Sequence, residues 1–524
     1  MPNMSAEREI IDGLMQDAEA ALTRGAVDKA RTLYGGILAN DPQNAAALRQ
    51  LGAIEVNGGD PARALDLFQA AREIGPFDPD LCHAIATALR LMGRPGLALS
   101  ALDAALNMNP RHAPALYDRA VDQQRRGKME AARQTYQQLA ALGTMHFGTW
   151  FNNGVVLFRL GNLVAAERWF HAAAQIDPLS PLPMINIAMI YRIWGFVKEA
   201  VACLEHAVKL APDNAEAHWN LANALLVSGD LSQGFREYEW RFRRAGRGER
   251  SWTLPRWTGE PLNGQTIVLG LEQGAGDAIH FIRFAPAVAA HGGRVVVECQ
   301  PALRALLATA PGVAATVDPG TAVSGAVCYA PLMSLPHLLG TTLETIPSTV
   351  PYLSPPANTP AIDLPSGGLR VGLVWRGNPQ HEQDQWRSVP LDLLRPLLDV
   401  PGVSFFSLQV GEGKDEFAAA PWNARLTDLA SGLKDFAATA AAVSALDLII
   451  SVDTAVAHLA GALGKPVWVL IPQGNDWRWL HGRGDSPWYP TLRLFRQRRQ
   501  RNWKPAITAM IAELTAIAAA AKTA

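Results

Sequence analysis

The 524-residue sequence has few cysteines, no charge excess and no long apolar run. Its cysteines, Cys82, Cys203, Cys299 and Cys328, are far apart and match no zinc or C-x-x-C spacing. We therefore expect reduced thiols in a cytoplasmic protein. The net charge of −1 gives no basic surplus for nucleic acid. No apolar run reaches the roughly 18 residues of a membrane helix, and the charged N-terminus is unlike a signal peptide.

Patterns that would hold a metal ion are also missing. There is no convincing D-x-D motif and no cluster of histidine and cysteine at ligand spacing. We therefore expect neither a metal nor a resident cofactor. The chain is long enough for two to four domains.

A 34-residue period organises the first half of the chain. It is carried by a glycine series of Gly25, Gly59, Gly93, Gly127, Gly161, Gly195 and Gly229. Small residues repeat in phase at Gly52, Ala86, Ala120, Gly154, Ala188 and Ala222, and at Ala64, Ala98, Ala132, Ala166 and Ala200. A helix pair with a glycine turn and small residues at the contact is the tetratricopeptide repeat. The pattern predicts an all-α solenoid over residues 1–244.

Three asparagines keep the same period: Asn152, Asn186 and Asn220. They are predicted on the first helix of each repeat, which lines the concave face of such a solenoid. Two interpretations are open. The amides form a ladder that binds the backbone of an extended polypeptide, or they cap and bridge neighbouring repeats. A large groove favours a protein partner, and formation of a homo-oligomer through the array is the competing use.

The second half alternates short apolar runs with helical segments, which is typical of parallel α/β domains. Residues 245–264 are rich in Gly, Pro and Trp and are predicted to be a connector. A first Rossmann-like domain is predicted over residues 265–355, a proline-rich linker over 356–368, and a second Rossmann-like domain with a terminal helix over 369–524.

The segment Leu446–Pro472 predicts a strand, a tight turn, a helix and a strand. Asp453 is placed to cap the helix, which is expected from about Thr454 to Leu463. A helix that starts at the carboxyl end of a parallel strand offers free N–H groups to an anion. His458 lies one turn after Thr454, on the same face. The simpler interpretation is an ordinary βαβ unit with Asp453 as its cap.

Within this segment, DTAVAHLAGALGKPV resembles the D-T-[GA]-x-x-H-x-A-x-A-x-G-K-P signature of the ADP-heptose lipopolysaccharide heptosyltransferases. The whole chain resembles bacterial proteins that join tetratricopeptide repeats to a heptosyltransferase-like domain of glycosyltransferase family 9 type. The resemblance implies a GT-B fold, in which two Rossmann-like domains face a cleft. It also implies that Asp453, Thr454, Ala455 and His458 hold the phosphates of a nucleotide-sugar.

Further segments extend the resemblance. GAGD, with Gly274 and Gly276 in a glycine turn, resembles the G-D-x-[IL] segment of these enzymes, whose aspartate is the proposed general base. A carboxylate within hydrogen-bond reach of an acceptor hydroxyl suits that role, but Asp277 is also placed to be a helix N-cap. GLVWRGNP, at residues 372–379, adds Arg376 and Asn378 as phosphate or sugar contacts.

Other donor contacts are expected at Gln409, Lys465 and Arg478. Lys465 is equally suited to covering a helix end, and the role of Arg478 is open. Arg387 and Ser388 match a D-x-x-R-S element of the family. Ala455 departs from the glycine common in the lipopolysaccharide enzymes, so the sugar is not assumed to be heptose.

The expected function is an inverting, metal-independent glycosyltransferase. It would use a nucleotide-sugar and modify a polypeptide, such as flagellin or another surface protein, held by the repeats. The acceptor class follows by analogy with the O-GlcNAc transferases, which also join repeats to a GT-B domain. Two alternatives are a repeat scaffold with an inactive GT-B domain, and transfer to lipid or polysaccharide.

Overall fold

A computed structural model describes residues 4–246, 252–365, 367–381, 384–474, 476–499 and 502–523. The chain forms two compact units, Met1–Asn186 and Ile187–Ala524. The boundary falls inside the predicted solenoid. Part of the predicted connector (residues 247–251) lies outside the described residues, as do residues 382–383, which precede the D-x-x-R-S element at residues 384–388.

Helices occupy the first half of the described chain. They are α1 Met4–Thr23, α2 Val27–Asn40, α3 Ala45–Gly58, α4 Pro61–Ile74, α5 Pro79–Leu91, α6 Pro95–Met108, α7 Ala113–Arg125, α8 Met129–Ala141, α9 Phe147–Arg159, α10 Leu163–Ile176, α11 Leu182–Trp194, α12 Val197–Leu210, α13 Ala215–Ser228 and α14 Leu231–Tyr238. The predicted all-α repeat region is confirmed.

The 34-residue period has a direct structural cause. Each glycine of the series that begins at Gly25 has φ between +70° and +97°, which side-chain-bearing residues rarely adopt. The small residues mark the contact inside each helix pair. A Cβ on Gly52 would come 2.5 Å from Cε1 of Phe68, and one on Gly154 would come 2.6 Å from Cε1 of Phe170. Larger residues there would separate the paired helices.

Two parallel sheets follow. The first has the order β3-β2-β1-β4, with β1 Thr266–Gly270, β2 Arg294–Glu298, β3 Val313–Val317 and β4 Ala326–Pro331. The second has the order β10-β9-β8-β5-β6-β7, with β5 Leu369–Val374, β6 Val403–Ser407, β7 Leu426–Asp428, β8 Leu448–Val452, β9 Val467–Ile471 and β10 Leu492–Arg496. The strand pairs within each sheet are parallel.

Helices connect and cover these strands, as parallel sheets require. They are α15 Ala275–Phe281, α16 Ala285–Ala290, α17 Pro301–Leu307, α18 Leu335–Leu338, α19 Asp384–Arg387, α20 Leu391–Leu394, α21 Lys414–Ala419, α22 Phe436–Ala445, α23 Ala455–Ala462 and α24 Lys504–Thr523. A 3-10 turn spans Trp477–Trp479. The predicted α/β region with parallel sheets is therefore present.

The apolar core of the second unit continues from the sheets into the last repeat helices. Leu226, Phe235 and Tyr238 belong to the same buried cluster as Trp477 and Ile279. Phe235 meets Trp477 edge to face, with ring centroids 5.3 Å apart. This shared core explains why the boundary between the compact units precedes α12 rather than following α14.

The predicted terminal helix is present as α24. Residues 504–521 are long and apolar enough to cross a membrane by length and composition alone, a test that core helices also pass. Ile507, Met510, Leu514 and Ala518 are buried in the cluster that covers one face of the second sheet. Ile517 is 42% exposed. The helix therefore has one face packed on the sheet and one face open.

Candidate functional site

The candidate site lies where β1 and β8 end. β1 leads into α15 and β8 leads into α23, and these two helices touch. A Cβ on Gly276 would lie 3.4 Å from Cα of Ala455 and 3.2 Å from Cδ2 of His458. Gly276 thus permits the close approach of the two helices. The prediction that it forms part of a turn is wrong, because Gly276 is inside α15; Gly274 precedes the helix.

Asp277 is in the first turn of α15, and its carboxylate has two partners. One oxygen accepts a hydrogen bond from the N–H of Gly274 at 3.1 Å. The other accepts from Nη2 of Arg478 at 2.5 Å. The suggestion that Asp277 is the N-cap is therefore wrong, since Gly274 holds that position. Burial raises the pKa of Asp277, and the charge of Arg478 opposes that effect.

Arg478 joins two carboxylates. It donates to Asp277 and, from Nη1, to Asp476 at 2.9 Å. Its guanidinium also lies 4.3 Å from the centre of the Trp477 ring. Burial disfavours the guanidinium charge, but Asp476 and Asp277 outweigh it, so the pKa of Arg478 is raised above its usual value. Arg478 is thus a buried cation within the site rather than an open donor contact.

The turn between β8 and α23 differs from the predicted cap. Thr454, not Asp453, is the N-cap residue, and the helix starts at Ala455. The Thr454 side chain makes no capping bond; its hydroxyl lies 3.0 Å from that of Ser451. Nη1 of Arg387 donates to the carbonyl of Asp453 at 2.9 Å and anchors the turn. Burial, and then the charge of Asp476, raise the pKa of Asp453 to about 6.

His458 is buried and belongs to a polar triplet with Tyr489 and His280. The Tyr489 hydroxyl lies 3.0 Å from Nδ1 of His458 and 3.0 Å from Nδ1 of His280. A hydroxyl has one proton, so it donates to one ring and accepts from the other. Burial, and then the charge of Arg478, lower the pKa of His458 to about 3. The His458 imidazole is thus neutral in this environment, so the predicted contact to a phosphate would be a hydrogen bond and not a charge pair.

Two further predicted donor contacts are engaged in the fold. Gln409 is buried, and its Oε1 accepts from the N–H groups of Trp375 and Arg376 at 3.0 and 2.9 Å. Its Nε2 donates to the carbonyl of Glu412 at 2.8 Å. The Arg376 guanidinium pairs with Glu416 at 2.7 Å. Gln409 therefore joins the backbone after β5 to the backbone after β6. The charge of Arg376 is balanced by Glu416 within the protein, whereas a phosphate was the predicted partner.

Asn378 and Lys465 also have local roles. Asn378 is exposed, and its Oδ1 accepts from the N–H of Gln380 at 3.0 Å. Nζ of Lys465 donates to the carbonyl of Ser444 at 2.9 Å, in the last turn of α22. Lys465 thus covers a helix end, as one of its two interpretations proposed, although the helix is α22 rather than α23.

The predicted asparagine ladder makes intramolecular bonds. Nδ2 of Asn152 donates to the hydroxyl of Tyr117 in the preceding repeat at 3.2 Å. Asn186 donates to the carbonyl of Leu182 at 2.9 Å, one turn back in its own helix. Asn220 does the same with Glu216 and is buried, which contradicts its expected place on an open groove. These contacts favour the bridging interpretation for Asn152.

Sequence reasoning missed Tyr489 and Asp476, and it did not place Arg387 beside the Asp453 turn. Tyr489 acts through residues distant in sequence, since it contacts His280 and His458. Asp476 is two residues from its partner Arg478, but the charge of that pair matters through Asp277, 201 residues from Arg478. Among the described residues, no group of three or more histidine, cysteine, aspartate or glutamate side chains is arranged to hold a metal ion.

Comparisons with known proteins identify the repeats in the first half of the chain and find a relative that aligns with most of its length. Models described as tetratricopeptide repeat match residues 16–79, 83–144 and 117–181, and one described as TPR repeat matches residues 189–229. Protein FlbA of Caulobacter vibrioides is 27% identical over 507 residues, covering 90% of this chain and 78% of FlbA. The region up to residue 229 thus consists of tetratricopeptide repeats, which suggests a role in protein interaction.

Other matches are shorter. Anaphase-promoting complex subunit 3 of Schizosaccharomyces pombe is 22% identical over 167 residues, covering 32% of this chain and 25% of that protein. Among solved structures, the APC/C hetero-tetramer Cut9-Hcn1 matches with 17% identity and a TM-score of 0.37. That match covers 42% of this chain and less than half, 46%, of the other chain.

Proposed function

We propose that the chain is a nucleotide-sugar-dependent, inverting glycosyltransferase that acts on a polypeptide held by its repeats. The observation that carries the proposal is Asp277. Its carboxylate lies beside Arg478, and its neighbour in the chain, Gly276, packs against the start of α23. The side chain keeps 22% of its surface exposed, so an acceptor hydroxyl has access to it.

A carboxylate in this place supplies general-base chemistry. Asp277 takes the proton of an acceptor hydroxyl as the oxygen attacks the anomeric carbon of the donor sugar. The new C–O bond forms as the bond to the nucleoside diphosphate breaks, which inverts the anomeric centre. The raised pKa of Asp277 makes it a stronger base than an ordinary aspartate, and the bonds from Arg478 and Gly274 hold it in one orientation.

The donor phosphates are assigned to the start of α23. No hydrogen bond to the N–H groups of Ala455 and Val456 is found among the described residues. Free N–H groups and the positive end of a helix dipole suit an anion. The Thr454 hydroxyl is partly exposed beside them, and Arg387 is the nearby cation in place of Arg376. His458 supports this turn as a neutral residue through Tyr489.

The acceptor class rests on the repeats. Tetratricopeptide arrays bind polypeptides, and their presence on the same chain as the candidate site would hold an acceptor near Asp277 by effective concentration. The similarity to FlbA extends over both parts of the chain, which supports a joint function of repeats and α/β region. Flagellin or another surface protein remains the proposed type of acceptor.

The test is nucleotide release from UDP-, GDP-, ADP- and CMP-sugars by the full-length chain, with Asp277→Asn as the key variant. The amide oxygen of asparagine can keep only one of the two bonds that Asp277 accepts from Gly274 and Arg478. The urea midpoint of the variant is therefore measured beside its turnover, so that loss of the base is distinguished from loss of stability. We expect turnover to fall by at least ~10²-fold. Asp399→Asn, an exposed aspartate paired with Arg425, is the control for loss of one charge. Unchanged turnover in Asp277→Asn would refute the base assignment.

A repeat scaffold with an inactive α/β region is the second candidate. The observation that favours it is the number of predicted donor contacts already satisfied internally, namely Gln409, Arg376 and Lys465. It predicts that no nucleotide or nucleotide-sugar binds a folded sample. Transfer to lipid or polysaccharide predicts turnover that is independent of any polypeptide acceptor.

A further inference from the structure

A cavity separate from the candidate site lies in the unit formed by residues 187–524. Its volume of about 1090 Å³ is slightly above the roughly 300–1,000 Å³ of most small-molecule sites. The end of α11, the loop after β9, residues 481–484, β10 and α24 surround it. The cavity is distinct from the candidate site, because Asp277, Asp453 and His458 do not line it.

The lining is strongly basic. Glu513 is its one acidic residue among those described, against six basic side chains: Arg192, Arg483, Arg493, Arg496, Arg498 and Lys504. His481 adds no charge at neutral pH, since burial lowers its pKa. A concave surface with this excess concentrates anions.

Three of the six cations are engaged. Arg483 pairs with Asp485 at 2.7 Å, Arg493 pairs with Glu513, and Arg496 donates to backbone carbonyls that include Leu480 at 2.9 Å. These contacts balance or solvate the positive charge of three of the six basic side chains within the protein itself.

The other three cations, Arg192, Arg498 and Lys504, have no ion-pair partner within the described ranges. Arg192 is half-buried, and the charge acting on it most directly is that of Asp476. Asp476 already accepts two bonds from Arg478. A cation that is partly removed from water and lacks its own counter-ion is unfavourable, so an external anion would stabilise it.

Two buried donors in the lining are also unsatisfied. Nε of Arg192 and Nε2 of Gln497 are buried and have no hydrogen-bond partner among the described residues. Gln497 itself is 5% exposed and directly follows β10. A buried N–H without an acceptor costs about 1–3 kcal/mol. Both side chains line the cavity, and a phosphate there would satisfy these donors once the two side chains turn toward it.

We propose that this cavity binds a phosphorylated small molecule, with its phosphate between Arg192, Gln497, Arg498 and Lys504. Arginine and lysine supply charge-assisted hydrogen bonds to phosphate oxygens. The aromatic rings of Trp194 and Phe495, which also line the cavity, offer an apolar wall for the rest of the ligand. The site is independent of the donor site at Thr454.

Titration calorimetry of the full-length chain with inorganic pyrophosphate at low salt tests this site. The double variant Arg498→Gln/Lys504→Gln removes two exposed cations at the rim, so the fold is preserved. We expect its affinity for pyrophosphate to fall roughly tenfold or more, as the loss of charged hydrogen bonds implies. The matched control, Arg395→Gln/Lys434→Gln, removes two exposed cations outside the cavity and should bind like the wild type.

Three results would overturn the proposal. They are no binding of pyrophosphate to the wild-type chain, equal binding by the rim variant, and equal loss in the control pair. Thr454→Val separates the two sites. If that substitution abolishes pyrophosphate binding while the rim variant keeps it, pyrophosphate occupies the donor site and the cavity proposal is wrong. Loss in the rim variant alone supports the cavity whatever the outcome for glycosyl transfer.

Discussion

Tyr489 connects the histidines of α15 and α23, and its position depends on a glycine. A Cβ on Gly461 would come 2.4 Å from Cδ1 of Tyr489, far inside ordinary contact. The ring lies against bare backbone and from there reaches both His280 and His458. A single missing side chain thus sets the geometry behind the candidate site.

Gly461→Ala should therefore destabilise the second unit. Overpacking of this kind costs about 1–3 kcal/mol, which exceeds the gain of up to about 1 kcal/mol from the better helix propensity of alanine. The measurement is the urea midpoint followed by tryptophan fluorescence. Gly432→Ala is the control, because no atom lies within 4 Å of its added Cβ. Equal midpoints for the two variants would contradict the packing argument.

The buried histidines make stability depend on pH. The pKa of His458 is about 3 in the folded chain, against an ordinary value near 6.5. As pH falls below about 6.5 the unfolded chain binds a proton that the folded chain does not, so the unfolding free energy falls. Asp453, with its pKa raised to about 6, acts in the opposite direction between about pH 6 and 4.

We expect the urea midpoint to fall between pH 7.5 and pH 6, where the histidine effect dominates. His458→Gln should reduce that slope, whereas His337→Gln, which changes an exposed histidine, should leave it unchanged. A wild-type midpoint that does not vary over this range would show that His458 titrates normally and is not held neutral.

At the scale of the single residue, the sequence singled out Asp277, whose role stays a prediction, but it did not indicate the partners of its carboxylate. Arg478 is 201 positions away in the chain, and no periodicity relates the two. The same holds for Tyr489 and His280. Sequence patterns report local repeats and burial, while these contacts depend on how two helices from different sheets approach each other.

Elements were far more predictable. The strand, helix and strand predicted within Leu446–Pro472 are present as β8, α23 and β9. Continuous apolar runs and glycine turns are local properties of the chain, so they can be recognised in the sequence before the tertiary fold is known. The repeat helices follow from period alone. The cap of α23 was misplaced by one residue, since the helix begins at Ala455 and Thr454 holds the N-cap position.

The terminal helix offers a test at the scale of the element. Leu514 is fully buried on the face that packs against the second sheet, whereas Ile517, three residues on, is 42% exposed. Leu514→Arg should cost at least about 3 kcal/mol, since it buries an unpaired charge, and Ile517→Arg should cost little. Thermal unfolding measures both. Equal tolerance of the two changes would mean that α24 does not pack as described.

At the scale of the molecule, tetratricopeptide repeats and a parallel α/β region share one chain and, in the second unit, one core. The packing of Trp477 against Phe235 ties the last repeats to the segment that carries Arg478. The last repeats and the candidate site are thus adjacent within residues 187–524, an arrangement that the proposed transferase with a bound protein acceptor requires.

The central claim is that a nucleotide-sugar binds at the start of α23. A thermal-shift screen with UDP, GDP, ADP and CMP, on the wild-type chain and on Thr454→Val, tests it most directly. We predict that one nucleotide, at 100-fold over its dissociation constant, adds about 2.7 kcal/mol to the unfolding free energy. Thr454→Val, which removes the hydroxyl and keeps the shape, should diminish that shift. No shift with any nucleotide in folded protein would contradict the claim and leave the repeat scaffold as the function.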